Sequence, residues 1–179
     1  MKFSQGAQGR DQALVELFTA TFTAAEGASE GTLIGDLVGN LLSRTPAPDR
    51  HVFTAESDGA VIGAAIFSRL TYDQDDRSVL VLGPVAVATE WQGQGVGRQL
   101  LTHALQALRE AGIDIAVTYG DPNYYSRVGF APVTTTFIPA PFALQYPEGW
   151  LAQPLTEAEM TPLKGRAHCV EAFNDAAFW

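Results

Sequence analysis

The sequence predicts an α/β (α+β) protein, and three observations carry that reading. Near the N-terminus, apolar residues recur at helical spacing. Further on, Asp58-Gly59 joins two short apolar segments in the manner of a β-hairpin turn. Finally, the apolar run Ser78 to Ala88 passes through a glycine-rich turn straight into an amphipathic helix.

Taken in order, Leu14, Leu17, Phe18 and Phe22 predict a first helix from about Arg10 to Ala25. Leu33, Ile34, Leu37, Val38, Leu41 and Leu42 mark a second, ended by Pro46 and Pro48. Between them, Ala24 to Gly31 reads as a small, flexible connection carrying Glu26 and Glu30. His51–Glu56 and Val61–Phe67 read as the two hairpin strands. A polar break, Asp73 to Arg77, precedes the run Ser78–Ala88, whose nearly unbroken apolar character suits a strand buried on both faces.

Pro84 lies inside that run and cannot donate to a ladder, so the strand either bulges there or ends early. A bulge would free backbone N–H groups from Val85 through Ala86 to Val87. Leu100, Leu101, Ala104, Leu105, Leu108 and Ala111 form the apolar face of the following helix, and Gly112 ends it. Ile113–Tyr119 is the next strand. Pro122 opens a short helix to about Val128, and Phe130–Ile138 should be strand. Beyond Pro139 only short strands near Trp150–Leu155 and Gly165–Val170 are expected.

Composition narrows the function classes. At 179 residues the chain fits a single domain spanning 1–179, large enough for a real core. A hydrophobic fraction of 46% with 17% charged residues describes an ordered globular chain. The formal net charge of -9 speaks against nucleic-acid binding, and mildly favours cationic substrates. The sole cysteine, Cys169, permits no internal disulfide, and no signal peptide or membrane span is read, so cytoplasm is the expected compartment. His51, His103 and His168 are scattered without metal-ligand spacing, so no metal is expected. His103 falls on the polar side of its helix, and His168 and Cys169 would point to opposite faces of a strand.

The chemistry concentrates in Gln92-Gly-Gln-Gly-Val-Gly-Arg98. Glycines allow positive φ and close approach to the backbone, and the helix start offers unpaired N–H groups and positive dipole. That is an anion site. A dinucleotide fingerprint fails because Arg98 stands where the third glycine belongs, and a P-loop fails for want of the lysine. Gln92-x-x-Gly95-x-Gly97 instead resembles the acyl-CoA pyrophosphate loop of the GNAT N-acetyltransferase superfamily. Downstream, Gly120-Asp-Pro-Asn-Tyr-Tyr-Ser-Arg-Val-Gly-Phe130 is similar to the family's second signature, and its Gly-Asp-Pro start to the bacterial YhbS-like branch of predicted acetyltransferases. The resemblance is firm from about His51 to Phe130.

The resemblance implies a mixed, mostly antiparallel sheet, flanked by helices and splayed at a bulge near Pro84. It also implies acetyl-CoA as co-substrate, with the amides of Gln92, Gly93, Gln94, Gly95, Val96, Gly97 and Arg98 on the pyrophosphate. Val85 and Val87 would pair with the pantetheine arm, and Val87 would face the thioester oxygen. Tyr125 takes the general-acid position, or is a packing aromatic. Tyr124 packs, and Asn123 either bonds the pantetheine or caps its helix. The strand lacks a carboxylate between Ser78 and Ala88, leaving Glu26, Glu30 or a water chain as the base. The implied reaction is direct acetyl transfer to a primary amine, small-molecule or peptide, with a homodimer left open. A non-catalytic acyl-CoA-binding or sensing module is the alternative.

Overall fold

A computed structural model describes residues 1–179, and the chain begins with a strand that the hydrophobic pattern does not announce. β1 (Lys2–Gln5) is short and half-exposed. It forms because β2 (Arg50–Ser57) offers it an antiparallel edge, with Phe3 opposite Ala55. Between them lie α1 (Asp11–Glu26) and α2 (Ala28–Arg44).

The connection expected over Ala24–Gly31 is therefore helical on both sides of Gly27, which alone turns the chain at φ 100°. Gly31 serves packing instead of flexibility. A Cβ there would sit 1.8 Å from Thr23 Oγ1 and 2.8 Å from the Thr19 carbonyl, and one at Gly35 would sit 2.1 Å from Thr19 Oγ1. Small residues on α2 let α1 approach closely, and Arg50 closes the end of α2 by donating to the Leu42 and Thr45 carbonyls at 2.6 and 2.7 Å.

β3 (Ala60–Tyr72) and β4 (Asp75–Val87) both exceed the expected strands, because the polar stretch Asp73–Arg77 is mostly strand end. The Arg77 guanidinium bonds Asp75 at 2.8 Å and the carbonyls of Thr161 and Pro162 at 3.0 Å each. The Arg77 guanidinium foremost, with the backbone N–H groups of Arg77 and Lys164, holds the Asp75 carboxyl down to about 2. A carboxyl depressed in the folded state adds stability that is present above its ordinary value near 3.8 and lost as pH falls through about 2. Acid unfolding is accordingly expected to steepen between about pH 4 and 2. Asp75→Asn should flatten that part of a circular-dichroism titration.

After β4 come α3 (Val96–Glu110), β5 (Ile115–Tyr119), α4 (Pro122–Tyr125) with a further 3-10 turn to Val128, β6 (Ala131–Pro132), β7 (Trp150–Pro154) and β8 (Ala167–His168). The strands run in the order β1-β2-β3-β4-β5-β7-β6, with β8 on β3. β4 and β5 pair parallel, while the β1–β2, β5–β7, β6–β7 and β3–β8 pairs are antiparallel. This is the mixed, mostly antiparallel sheet the resemblance implies.

Two expected strands are much shorter than anticipated. Of Phe130–Ile138 only Ala131–Pro132 pairs; Thr134 then accepts from Phe137 and Ile138 in a turn, and prolines on either side remove ladder donors. Of Gly165–Val170 only Ala167–His168 pairs, so Cys169 lies beyond the strand and the opposite-faces argument for His168 and Cys169 lapses. His103 is exposed as expected, though its ring stacks on Phe3 at 5.5 Å.

The chain forms two compact units, each built from two segments. One comprises Met1–Phe67 with Pro84–Ala104, and its core gathers Leu14, Phe18, Leu41, Phe53 and Phe67. The other comprises Ser68–Gly83 with Leu105–Trp179, around Leu80, Val117, Trp150 and Leu151. No helix is long and apolar enough to cross a membrane.

Candidate functional site

The main chain of β4 changes sense at Pro84. In a strand, a residue's N–H and C=O point to one side, and successive residues alternate. Leu82 turns its carbonyl toward β5, where Thr118 Oγ1 donates to it at 3.0 Å. Even-numbered residues before the proline thus face β5. Past the proline they face β3: the Ala88 N–H donates to Ile62 O at 2.8 Å, and the Ala86 carbonyl lies where a Cβ on Gly63 would come within 3.4 Å. Residues of one parity cannot face both neighbours unless an extra residue is inserted between Leu82 and Ala86. That insertion is a β-bulge, the setting in which a strand tolerates proline.

The β4–β5 ladder ends at the pair Leu82–Thr118, while β4 runs on to Val87. By alternation Val85 and Val87 turn their main-chain groups away from β3. Ala86 does not. Its carbonyl lies on the Gly63 side, toward β3. The Val87 carbonyl is already taken, by Gln92 Nε2 at 3.0 Å.

That bond explains the glutamine. Gln92 ties the turn to the strand end, and Gln94 Nε2 does the same to Glu90 O at 3.0 Å, so both amide side chains brace the loop. The loop itself needs glycine at two points, Gly93 at φ 74° and Gly95 at φ 79°. Gly97 lies two residues further, already in the first turn of α3. The first intrahelical donor here is Gln99, to Gly95 O at 3.0 Å. The amides of Val96, Gly97 and Arg98 precede it and have no intrahelical acceptor. Three N–H groups and the positive end of a 15-residue helix converge there.

In the second unit, Tyr125 ends the four-residue α4. Its ring lies against the Gly120 backbone, with Tyr124 and Phe130 edge-on at 5.0 and 5.9 Å. Burial pushes the phenol up to about 12, Tyr124 and Asp121 add to the rise, and the Thr118 hydroxyl opposes it. The phenol thus stays protonated far above neutral pH and sits beside the residue that ends the β4–β5 ladder. Thr118 escapes a sequence reading because an alternating apolar strand gives no sign of it. Gly120 is likewise hidden in the sequence as a neighbour of the ring: a Cβ there would meet Tyr125 Cε2 at 2.7 Å. A rigid ring cannot yield as a flexible side chain can. Gly120→Ala is therefore expected to swing the phenol aside, seen as a changed near-ultraviolet circular dichroism spectrum.

Asn123 is exposed and does not cap α4; Asp121 does, accepting from the Asn123 N–H at 2.9 Å. Tyr124 is 37% exposed, so it packs only partly. Glu26 is the exposed last residue of α1, and Glu30 lies half-buried in the first turn of α2, where a carboxylate complements the helix dipole. Val85, Val87, the glycine loop and both glutamates belong to the first unit, and Tyr125 and Asn123 to the second. No cluster of three or more His, Cys, Asp or Glu side chains could hold a metal ion.

The model of the acetyltransferase (GNAT) domain matches residues 48–132, a span that contains the bulge, the loop and Tyr125. The N-acetyltransferase YjhQ of Escherichia coli, itself uncharacterized, is 33% identical over 122 residues, covering 65% of this chain and 67% of that protein. The chain belongs to the GNAT acetyltransferase family. A second GNAT relative, the uncharacterized N-acetyltransferase YhbS of Escherichia coli, is 40% identical over 75 residues, 42% of this chain and 45% of YhbS. The matched part thus spans less than half the length of YhbS. Among solved structures, the GNAT protein YhbS from Escherichia coli in complex with CoA superposes with a TM-score of 0.82 at 24% identity, over 97% of this chain and 92% of that one. A GNAT acetyltransferase from Brucella melitensis in complex with acetyl-CoA gives 0.75 at 24%, over 97% of each chain. At that identity the likeness shows the GNAT fold.

Proposed function

We propose that this GNAT member transfers the acetyl group of acetyl-CoA to a primary amine by direct attack in a ternary complex. The observation that carries the reading is the reversal of strand sense at Pro84, which leaves Val85 and Val87 with main-chain groups that no strand accepts. The two solved relatives named above hold CoA and acetyl-CoA, which supports the same carrier here.

Each group then has a task. The amides of Gln92 to Arg98, above all Val96, Gly97 and Arg98, hold the pyrophosphate. Val85 and Val87 add the pantetheine arm as an extra strand, which needs backbone and no particular side chains. Asn123 is the polar side chain offered to that arm from α4. The Val87 N–H faces the thioester oxygen, where a preorganised donor is worth about two to three powers of ten in rate. As the amine nitrogen bonds to the carbonyl carbon and the carbon–sulfur bond breaks, Tyr125 gives its phenolic proton to the departing thiolate. The amine's own proton passes to Glu26, Glu30 or water.

Thiol release from acetyl-CoA against a panel of primary amines tests the proposal. Amine-dependent release is expected. A non-catalytic acyl-CoA-binding module is the second reading, favoured by the exposure of Glu26 and by the lack of a carboxylate from Ser78 to Ala88. CoA binding with no thiol release across the panel would establish it in place of catalysis.

A further inference from the structure

The short helix that ends in Tyr125 is held at its far side by one buried amide. Register partners share a face. Ala116 pairs with Gln153 and Thr118 with Leu151, so Gln153 of β7 projects from the face on which Tyr125 meets the Thr118 hydroxyl. Gln153 is only 5% exposed. Its Nε2 donates to the Val128 carbonyl at 3.0 Å, and its Oε1 accepts from Arg109 Nη2 at 3.1 Å. Val128 closes the 3-10 turn that continues directly from Tyr125.

The fit around that amide is tight. Gly129 follows in the left-handed region at φ 99°, and a Cβ on it would sit 2.9 Å from Gln153 Oε1. The chain then doubles back toward the phenol. The Phe130 N–H donates to the Tyr125 carbonyl at 3.3 Å, the buried Phe130 ring stands edge-on to Tyr125 at 5.9 Å, and Ala131 pairs with Ala152, the neighbour of Gln153. Asp121 fixes the start of the turn by accepting from the Asn123 N–H; Gln153 fixes its end.

The amide has one usable orientation. A main-chain carbonyl only accepts and a guanidinium only donates, so Nε2 must face Val128 and Oε1 must face Arg109. Arg109, exposed in the last turn of α3, thus selects the orientation the turn requires.

We propose that Gln153, oriented by Arg109, is a positioning residue for the proton donor: it holds the end of the Tyr125 turn so that the phenol is correctly aimed. The inference rests on the acetyl-transfer reading with Tyr125 as donor. Proton transfer needs the phenol within hydrogen-bond reach of the sulfur, so a small shift of the turn is felt in turnover before it is felt in carrier binding.

A double-mutant cycle tests the inference. Gln153→Glu keeps the volume and the Arg109 partner but sets an oxygen against the Val128 carbonyl. It is expected to lower kcat for amine-dependent thiol release by about tenfold, with the acetyl-CoA Kd from calorimetry within about twofold. Arg109→Ala lets the amide turn over and should lower kcat by about threefold. Being a surface change, it also serves if thermal melting shows Gln153→Glu unfolded. In a Tyr125→Phe background both losses should vanish, because no phenolic proton remains to be aimed. Losses of unchanged size in that background, or an unchanged kcat in the folded single variants, would overturn the inference while leaving acetyl transfer standing. Wild-type turnover in Tyr125→Phe would remove the donor reading, and no thiol release from the unmodified protein would remove acetyl transfer; the inference falls with either.

Discussion

Gly95→Val is expected to abolish acetyl-CoA binding, with Kd rising by at least about a hundredfold in titration calorimetry. Two effects combine. Gly95 sits at φ 79°, a conformation in which a β-branched residue is strained by about 1–3 kcal/mol. The added branch would also fill the space in front of the amides of Val96, Gly97 and Arg98. The strain alone would re-form the turn and misdirect those amides; the bulk alone would keep an anion off them. Because the Gln92 and Gln94 side chains tie the turn to the Val87 and Glu90 carbonyls, the rest of the first unit should survive, seen as a modest fall in melting temperature. Affinity equal to that of the unmodified protein would show that the carrier does not use this helix start.

Tyr125→Phe should have the second largest effect, and of the opposite kind. Turnover is expected to fall by about two powers of ten while acetyl-CoA affinity stays the same. The ring keeps its place because its contacts with Gly120, Tyr124 and Phe130 are made by carbon. What is removed is a proton held at about 12, available throughout the pH range in which a free amine exists. Turnover matching the wild type would assign thiolate protonation to another group, and a matching loss of affinity would make the phenol a binding contact.

The elements that carry the proposed chemistry were the most legible in the sequence, because they depend on local rules. Gly93 and Gly95 stand where positive φ is required, and Pro84 interrupts an apolar run where a strand must either bulge or end. The α3 periodicity is clear for the same reason, with Leu100, Leu101, Ala104, Leu105 and Leu108 all buried. The misreadings lie where the cause is tertiary. Gly31 looks like flexibility in one dimension and proves to be clearance for Thr19 and Thr23 across a helix hairpin. Asp75 and Arg77 look like a break and prove to be a clamp, closed by carbonyls more than eighty residues further along. β1 owes its existence to the edge of β2. Nor does anything local connect Gln153 to Val128, or Thr118 to Tyr125. Parity, too, needs coordinates: only the alternation around the bulge separates Ala86 from its two neighbours.

An amide-resolved NMR titration with acetyl-CoA tests the central claim most directly, since the claim concerns individual N–H groups. The account predicts that Val85, Val87, Val96, Gly97 and Arg98 shift together and strongly as the carrier binds, while Ala86, whose carbonyl lies toward β3, moves far less. Saturable binding that leaves the Val85 and Val87 amides in place would contradict it.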